Sequence, residues 1–216
     1  MGNISLITIL VILANVLFSM KGFNDSAFFN KYLFNVAAIK RGEMIRILSS
    51  GFLHVDMGHL LLNMLTLYFF ADIVILSLGN FGFLLVYFGS LLLGNFLSYY
   101  FHKNDYAYNA VGASGAVSGI IYAAILLYPE MSLYMFFIPI PIPAYVFGIG
   151  YMLYSIYGMR RQLGNIGHDA HFGGAVGGYL ITLVLAPWVL QAHLLMVILL
   201  AIPIVLLFLL QKSGRI

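Results

Sequence analysis

Cysteine is missing from all 216 residues, which excludes disulfides, thiolate nucleophiles and thiolate metal ligands and leaves the redox compartment unmarked. Charge is nearly as scarce: Lys plus Arg number 10 and Asp plus Glu 7, together 8% of the chain, against 62% hydrophobic residues. Soluble domains carry about 25% charged residues, so a water-facing surface over most of this chain is excluded. Also absent are a phosphate-binding glycine loop, a dinucleotide fingerprint and the HExxH helix of zinc proteases. His54 and His59 are five residues apart, which turns their rings to different sides of a helix, and Asp72 has no second membrane carboxylate for an aspartyl mechanism. Neither a metal, another cofactor nor a nucleic-acid partner is expected, and the net charge of +3 reads as a record of loop topology.

What is present is apolar and long. Runs of about twenty apolar residues cross a bilayer core, and the pattern predicts seven spans, over 4–20, 58–78, 81–101, 114–128, 143–157, 170–187 and 192–211. The fold class expected is therefore all-α, a polytopic membrane helix bundle of six spans with a seventh appended. The first run has no basic residue before it and no small-residue cleavage site, so it reads as a span rather than a signal peptide. Residues 1–188 form the expected six-span core and 189–216 an additional transmembrane helix with a short tail. Within the core, residues 21–57 hold most of the charge together with pieces such as AFFNKYLFNVAA, too aromatic for a linker, and read as a folded, membrane-associated loop. The run IPIPIP at 138–143 cannot continue a helix and sets the start of the fifth span.

The fourth span, from Ser114 to Tyr128, covers only about 22 Å at 1.5 Å per residue, short of a core of about 30 Å. If its far end reaches the opposite surface at Pro129, Ser114 is submerged, and its orphan backbone donors need protein or a water-filled cavity. Polar residues at such depth are expensive and each is a functional candidate. His59 and Asn63 in HVDMGHLLLN share one helix face, Ser114 lies in GASG, and His171 opens the sixth span in HDAHFGGAVGG. In an antiparallel bundle the second, fourth and sixth spans start on one side, so His59, Ser114 and His171 can converge. Gly115 and Gly119, with Gly174 and Gly178, are small-xxx-small patterns that bring two helices into close contact.

Imidazole titrates near neutrality and takes a proton from a serine within reach, so Ser114 and His171 make a nucleophile and base, with Asn63, His59 and the Ser114 backbone N–H as oxyanion donors. Taken singly, each motif has a plainer reading in close packing, an interhelical hydrogen bond or a helix cap; the conjunction favours chemistry. His54 is expected to support the loop, His168 to face the interface and Asp72 to bond within the bundle or lie at the inner interface, while His102 and His193 show no partner pattern.

From GEMIRILSSGFLHVDMGHLLLN through GASGAVSG to AHFGGAVGG, the chain resembles the rhomboid family of intramembrane serine proteases. The resemblance implies Ser114 as nucleophile, His171 as general base in a dyad without an acidic third member, Asn63 and His59 at the oxyanion, and Arg46 as the basic residue of the first loop. Arg46, Gly112, Gly115, Gly174 and Gly178 are the expected structural supports. Two positions depart from the family pattern: Ser118 stands where an aromatic often backs the histidine, with Tyr122 as a nearby substitute, and Ile45 stands where tryptophan is common.

The function expected is hydrolysis of a peptide bond in or near the span of single-pass membrane-protein substrates, with the bilayer as the other partner and a small residue before the cut. Loops one and five are candidates for the cover over Ser114. Two alternatives differ in class: a catalytically silent rhomboid-like chaperone that binds membrane helices, and a small-solute transporter with broken helices. All ten Lys and Arg residues fall on the side of the active site, which the positive-inside rule would make cytoplasmic. The resemblance implies an outward-facing mouth in the inner membrane of a prokaryote, and that is the orientation expected here.

Overall fold

The computed structural model describes residues 4–135, 138–161 and 167–214, so Arg215 and part of the fifth loop lie outside the described residues. The chain is an all-α polytopic membrane bundle. Helix α1 (Leu6–Asn24) leads into a first loop built from α2 (Ser26–Tyr32), strand β1 (Phe34–Asn35), α3 (Val36–Lys40), α4 (Ile45–Ser49) and a 3-10 turn. Helix α5 (Met57–His102) is two spans in one run, broken at Gly79, where φ of +70° is a conformation glycine adopts without penalty. Strand β2 (Asn109–Ala110) precedes α6 (Ser114–Leu127), and the antiparallel pair β3 (Ser132–Met135) and β4 (Ile138–Pro143) precedes α7 (Ala144–Arg161). Helix α8 (His168–Leu185), the short α9 (Val189–Ala192) and α10 (Leu194–Lys212) complete the chain. The proline-rich run is thus a strand, and the helix starts at the residue after it.

Helix α6 sits at the centre, with every residue from Gly115 to Leu127 buried, and at 14 residues it is about 21 Å long. It packs on α5 and α8, while α7 lies outside against α8 and α10. The outward faces of the spans are apolar, as in Leu10, Leu17, Phe69, Leu76, Val184 and Leu195, which suits contact with lipid chains. Asp72 answers to the bundle, its carboxylate accepting from the Ser5 N–H at 3.4 Å and the Thr8 hydroxyl at 3.5 Å.

Glycines set how closely the inner helices approach. A Cβ at Gly174 would collide with the Gly115 carbonyl, and one at Gly178 with the Gly119 carbonyl, so α6 and α8 meet backbone to backbone. The glycine preceding each of these faces α5 instead: a Cβ at Gly173 would lie 2.9 Å from Gly94 Cα, and one at Gly177 2.9 Å from Ser90 Cα. The two GG doublets of α8 therefore serve two neighbours at once.

The first loop is docked from several directions. The Arg46 guanidinium is buried and donates to the Asn30 and Leu33 carbonyls at 2.8 and 2.9 Å, while Glu43 accepts from its Nε at 2.8 Å. That hydrogen bond holds the Glu43 carboxyl below its usual range. Strand β1 pairs with β2 in the register Phe34 to Ala110 and Asn35 to Asn109, and the Gly112 N–H donates to the Ser50 carbonyl at 3.0 Å. His54 closes the set: it accepts from the Ala113 N–H at 3.4 Å through Nε2 and meets Ser19 Oγ at 2.8 Å through Nδ1. Since Ser19 itself donates to the Phe52 carbonyl at 3.0 Å, the His54 proton sits on Nδ1 and the relay runs from Ala113 to the loop backbone.

Three substitutions test this packing. Gly178→Ala should lower the thermal midpoint in detergent, by the equivalent of about 1–3 kcal/mol of overpacking. Gly150→Ala, where an added Cβ meets nothing within 4 Å, should be neutral or stabilising by up to about 1 kcal/mol. Burial, then the neighbouring His59, pushes the His54 imidazole from 6.5 down to about 3, with Asp56 opposing. Between those values the unfolded state holds the extra proton, so this contribution is complete above the upper value and lost as pH falls. His54→Ala should therefore cost about 1–3 kcal/mol at neutral pH and flatten the acid limb of a stability profile; an unchanged limb counts against the relay.

Candidate active site

Ser114 begins α6 and His171 lies in the first turn of α8. Their side chains meet, with His171 Nε2 2.6 Å from Ser114 Oγ. The approach is a product of backbone contact: a Cβ at Gly115 would stand 3.2 Å from the Ala170 carbonyl, one residue from each partner. Among the described residues no side chain caps the start of α6, whose N-cap position is Ala113. The backbone N–H groups of its first turn are thus the orphan donors of this helix end, which begins at the half-buried Ser114.

His59 and Asn63 rise from the start of α5, which Asp56 caps by accepting from the His59 N–H at 2.7 Å. The His59 ring lies across Gly112, where a Cβ would stand 2.7 Å from its Cε1 and 3.6 Å from Ser114 Oγ. Gly112 also has φ of +134°, so both conformation and space restrict the position to glycine. His59 stands edge-on to His54, ring centres 4.9 Å apart, and its Nδ1 is buried without a partner among the described residues. Asn63 is buried and donates to the His59 carbonyl at 3.1 Å, which uses one of its two N–H bonds. Arg46 is placed differently: it acts inside the first loop and donates to that loop's carbonyls and to Glu43.

The ring beside His171 is not Tyr122, whose hydroxyl donates to the Gly148 carbonyl at 2.7 Å elsewhere in the bundle. It is Tyr151 of α7, stacked on the imidazole with centres 5.8 Å apart and planes 24° apart. Ser118, in the position where the sequence departs from the family pattern, meets the Tyr151 hydroxyl at 2.8 Å. Spacing along the chain carries no sign of this partner, because Tyr151 is 20 residues before the histidine and on another helix.

Two other histidines differ from expectation. His168 is buried rather than at the interface: its ring fills the space over Gly158, edge-on to Tyr154 at 5.2 Å and to His171 at 6.3 Å. The cause is that α8 begins at His168, which directs the first turn inward against α7. His102 stacks flat on Tyr108, ring centres 3.7 Å apart, and faces the buried Asp169 carboxylate at 3.5 Å, so the end of α5 is joined to the start of α8. Burial and the neighbouring Asp169 push the Tyr108 phenol up.

Known proteins are similar to this chain in sequence. The chain is 31% identical over 178 residues, 75% of its own length, to the RHOMBOID-like protein 12, mitochondrial, of Arabidopsis thaliana, covering 52% of that protein. It is 30% identical to Rhomboid protein 1, mitochondrial, of Saccharomyces cerevisiae over 63% of this chain and 40% of that one. It is 31% identical to the Rhomboid protease GluP of Bacillus subtilis over 65% of this chain and 26% of that one. The chain thus spans about half, or less, of the length of these curated relatives. The Rhomboid domain family model matches residues 41–188, which include α4 to α8 with Ser114, His171, His59 and Asn63, and on that match this multi-pass membrane protein belongs to the rhomboid family.

Proposed function

We propose that the chain is an intramembrane serine endopeptidase in which Ser114 is the nucleophile and His171 the general base. The observation that carries this is the 2.6 Å, part-buried contact between His171 Nε2 and Ser114 Oγ at a helix start without a side-chain cap among the described residues. In the first step His171 takes the Ser114 proton as Oγ attacks the substrate carbonyl carbon, and the carbonyl π electrons move to oxygen. The Ser114 N–H, the free N–H of Asn63 and His59 are the donors for that oxyanion. His171 then returns the proton to the leaving amine nitrogen as the C–N bond breaks. Water, deprotonated by the same imidazole, releases the acyl group from Oγ and restores the serine. This sequence calls on no metal or cofactor.

The substrate class proposed is a single-pass membrane protein cut in or near its span, with a small residue before the scissile bond. An α-helical carbonyl is engaged in its own helix, so a segment weakened by glycine or proline offers it more readily. The basic residues at described positions lie at the Ser114 end of the spans, among them Lys21, Lys103, Arg161 and Lys212. Under the positive-inside rule that end faces inward, against the outward orientation the family resemblance implies. Relatives named as mitochondrial do not support a prokaryotic inner membrane for this chain, and no compartment is proposed.

Fluorophosphonate labelling of the purified chain tests the reading. The parent should label, Ser114→Ala should not, and folded His171→Ala should label about 10³-fold more slowly or worse. A folded parent that does not label instead supports a silent protein that binds membrane helices. Asn63→Ala should slow cleavage of a transmembrane substrate by about 10²–10³-fold with little change in folding, which measures its share in holding the oxyanion.

A further inference from the structure

We infer that Tyr151 is a positioning residue for His171, so that the alignment of the Ser114–His171 pair depends on where helix α7 sits. This rests on the reading of that pair as nucleophile and base. Three rings form an offset, near-parallel series: Phe147 and Tyr151, one turn apart on α7, have centres 6.1 Å apart and planes 9° from parallel, and Tyr151 in turn stacks on His171 at 5.8 Å and 24°. An imidazole must present Nε2 along the serine Oγ–H direction, and a ring against its face removes the rotations that would turn Nε2 away.

The tyrosine is itself held by Ser118, which in turn bonds to the nucleophile's own residue. Ser118 Oγ lies 2.7 Å from the Ser114 carbonyl and 2.8 Å from the Tyr151 hydroxyl. A serine has one proton, and the carbonyl can only accept it, so the Tyr151 O–H donates to Ser118 and Ser118 donates to Ser114. The ring that backs the base is thereby tied through two hydrogen bonds to the backbone of the residue the base serves.

Its carrier is the helix on the outside of the core. Helix α7 packs on α8 and α10, and Val146, Leu153, Tyr154 and Tyr157 are exposed on it. A ring borne at position 118 would move with α6 and keep the base aligned whatever α7 did. With serine there, the space belongs to a side chain from α7, and a shift of that helix by about 1 Å moves the backing ring off the base, a misplacement worth about 10²-fold in rate.

The test measures the rate of fluorophosphonate labelling at Ser114 in the full-length purified chain, with each variant's thermal midpoint recorded. Tyr151→Ala should label about 10²-fold more slowly than the parent. Tyr151→Phe and Ser118→Ala, which break the same tether, should each slow labelling about 3- to 10-fold, and the double variant should be no slower than the slower single. The combination Ser118→Tyr with Tyr151→Ala returns a ring to the histidine from α6 and should bring the rate to within about tenfold of the parent, a rescue that a general loss of packing would not give. Parent-rate labelling by folded Tyr151→Ala overturns the inference, and so does a folded combination as slow as Tyr151→Ala alone. Where Tyr151→Ala does not fold, Tyr151→Phe and Ser118→Ala decide, unchanged labelling in both overturning it and slower labelling in both supporting it. An unlabelled parent removes the nucleophile–base reading together with this one, whereas a labelled parent indifferent to Tyr151 and Ser118 removes this one alone.

Discussion

The contact between the α6 and α8 backbones, at Gly115 with Gly174 and Gly119 with Gly178, is the constraint on which the rest depends. In a bilayer the lipid tails are as apolar as the side chains, so no hydrophobic force presses two helices together, and close packing must supply the attraction. Glycine is the residue that permits it, and here it also fixes a distance. A serine at the start of one helix and a histidine in the first turn of the other reach each other only if the axes are about this close. A methyl group at Gly174 would hold the helices apart and separate Nε2 from Oγ. The same residues therefore determine both packing and the geometry of the pair.

Bringing α6 to the centre creates a second demand. A helix of about 21 Å starts below the surface, and the strand that leads to it must be carried down into an apolar medium with its polar groups satisfied. The first loop does this. Its strand pairs with β2, the Ser50 carbonyl takes the Gly112 N–H, and His54 takes the Ala113 N–H, each further along the chain toward Ser114. Ser114 is where this support stops, which leaves the first-turn donors of α6 for something other than the protein's own side chains. Arg46 stabilises the loop from within, and its burial beside two carbonyls and Glu43 explains why a charged residue belongs in an otherwise apolar chain.

The sequence reading and the structure part company at identifiable places. Span positions were legible because hydrophobic runs and their breaks are local, and even the halves of α5 are separated at Gly79 as the pattern predicts. The approach of Ser114 to His171 was legible because parallel helix starts and i, i+4 glycines leave few ways to pack. The second face of α8 was not: Gly173 and Gly177 look like partners of Gly174 and Gly178 until the position of α5 is known. The surroundings of His168 and His102 are hidden from the sequence for a related reason, since burial between helices depends on which way the first turn of α8 is rotated, and periodicity leaves that rotation free.

Ser118 shows how a departure from a family pattern is to be read. Alone it is a lost aromatic and an argument for a misaligned base. In the structure the loss is local and the function of the ring is not, because removing bulk from α6 opens a space that α7 occupies with Tyr151, and the serine hydroxyl then becomes the atom that holds the newcomer. The exchange is close to neutral for packing, one aromatic being supplied for another, but it is not neutral for mechanics. On the proposed reading, a base backed by its own nucleophile's helix would be indifferent to the outer helices, whereas one backed from α7 would be aligned only while α7 is in contact with the core. The phenol is the feature that separates these cases, since phenylalanine at 151 would stack equally well and would leave Ser118 nothing to hold.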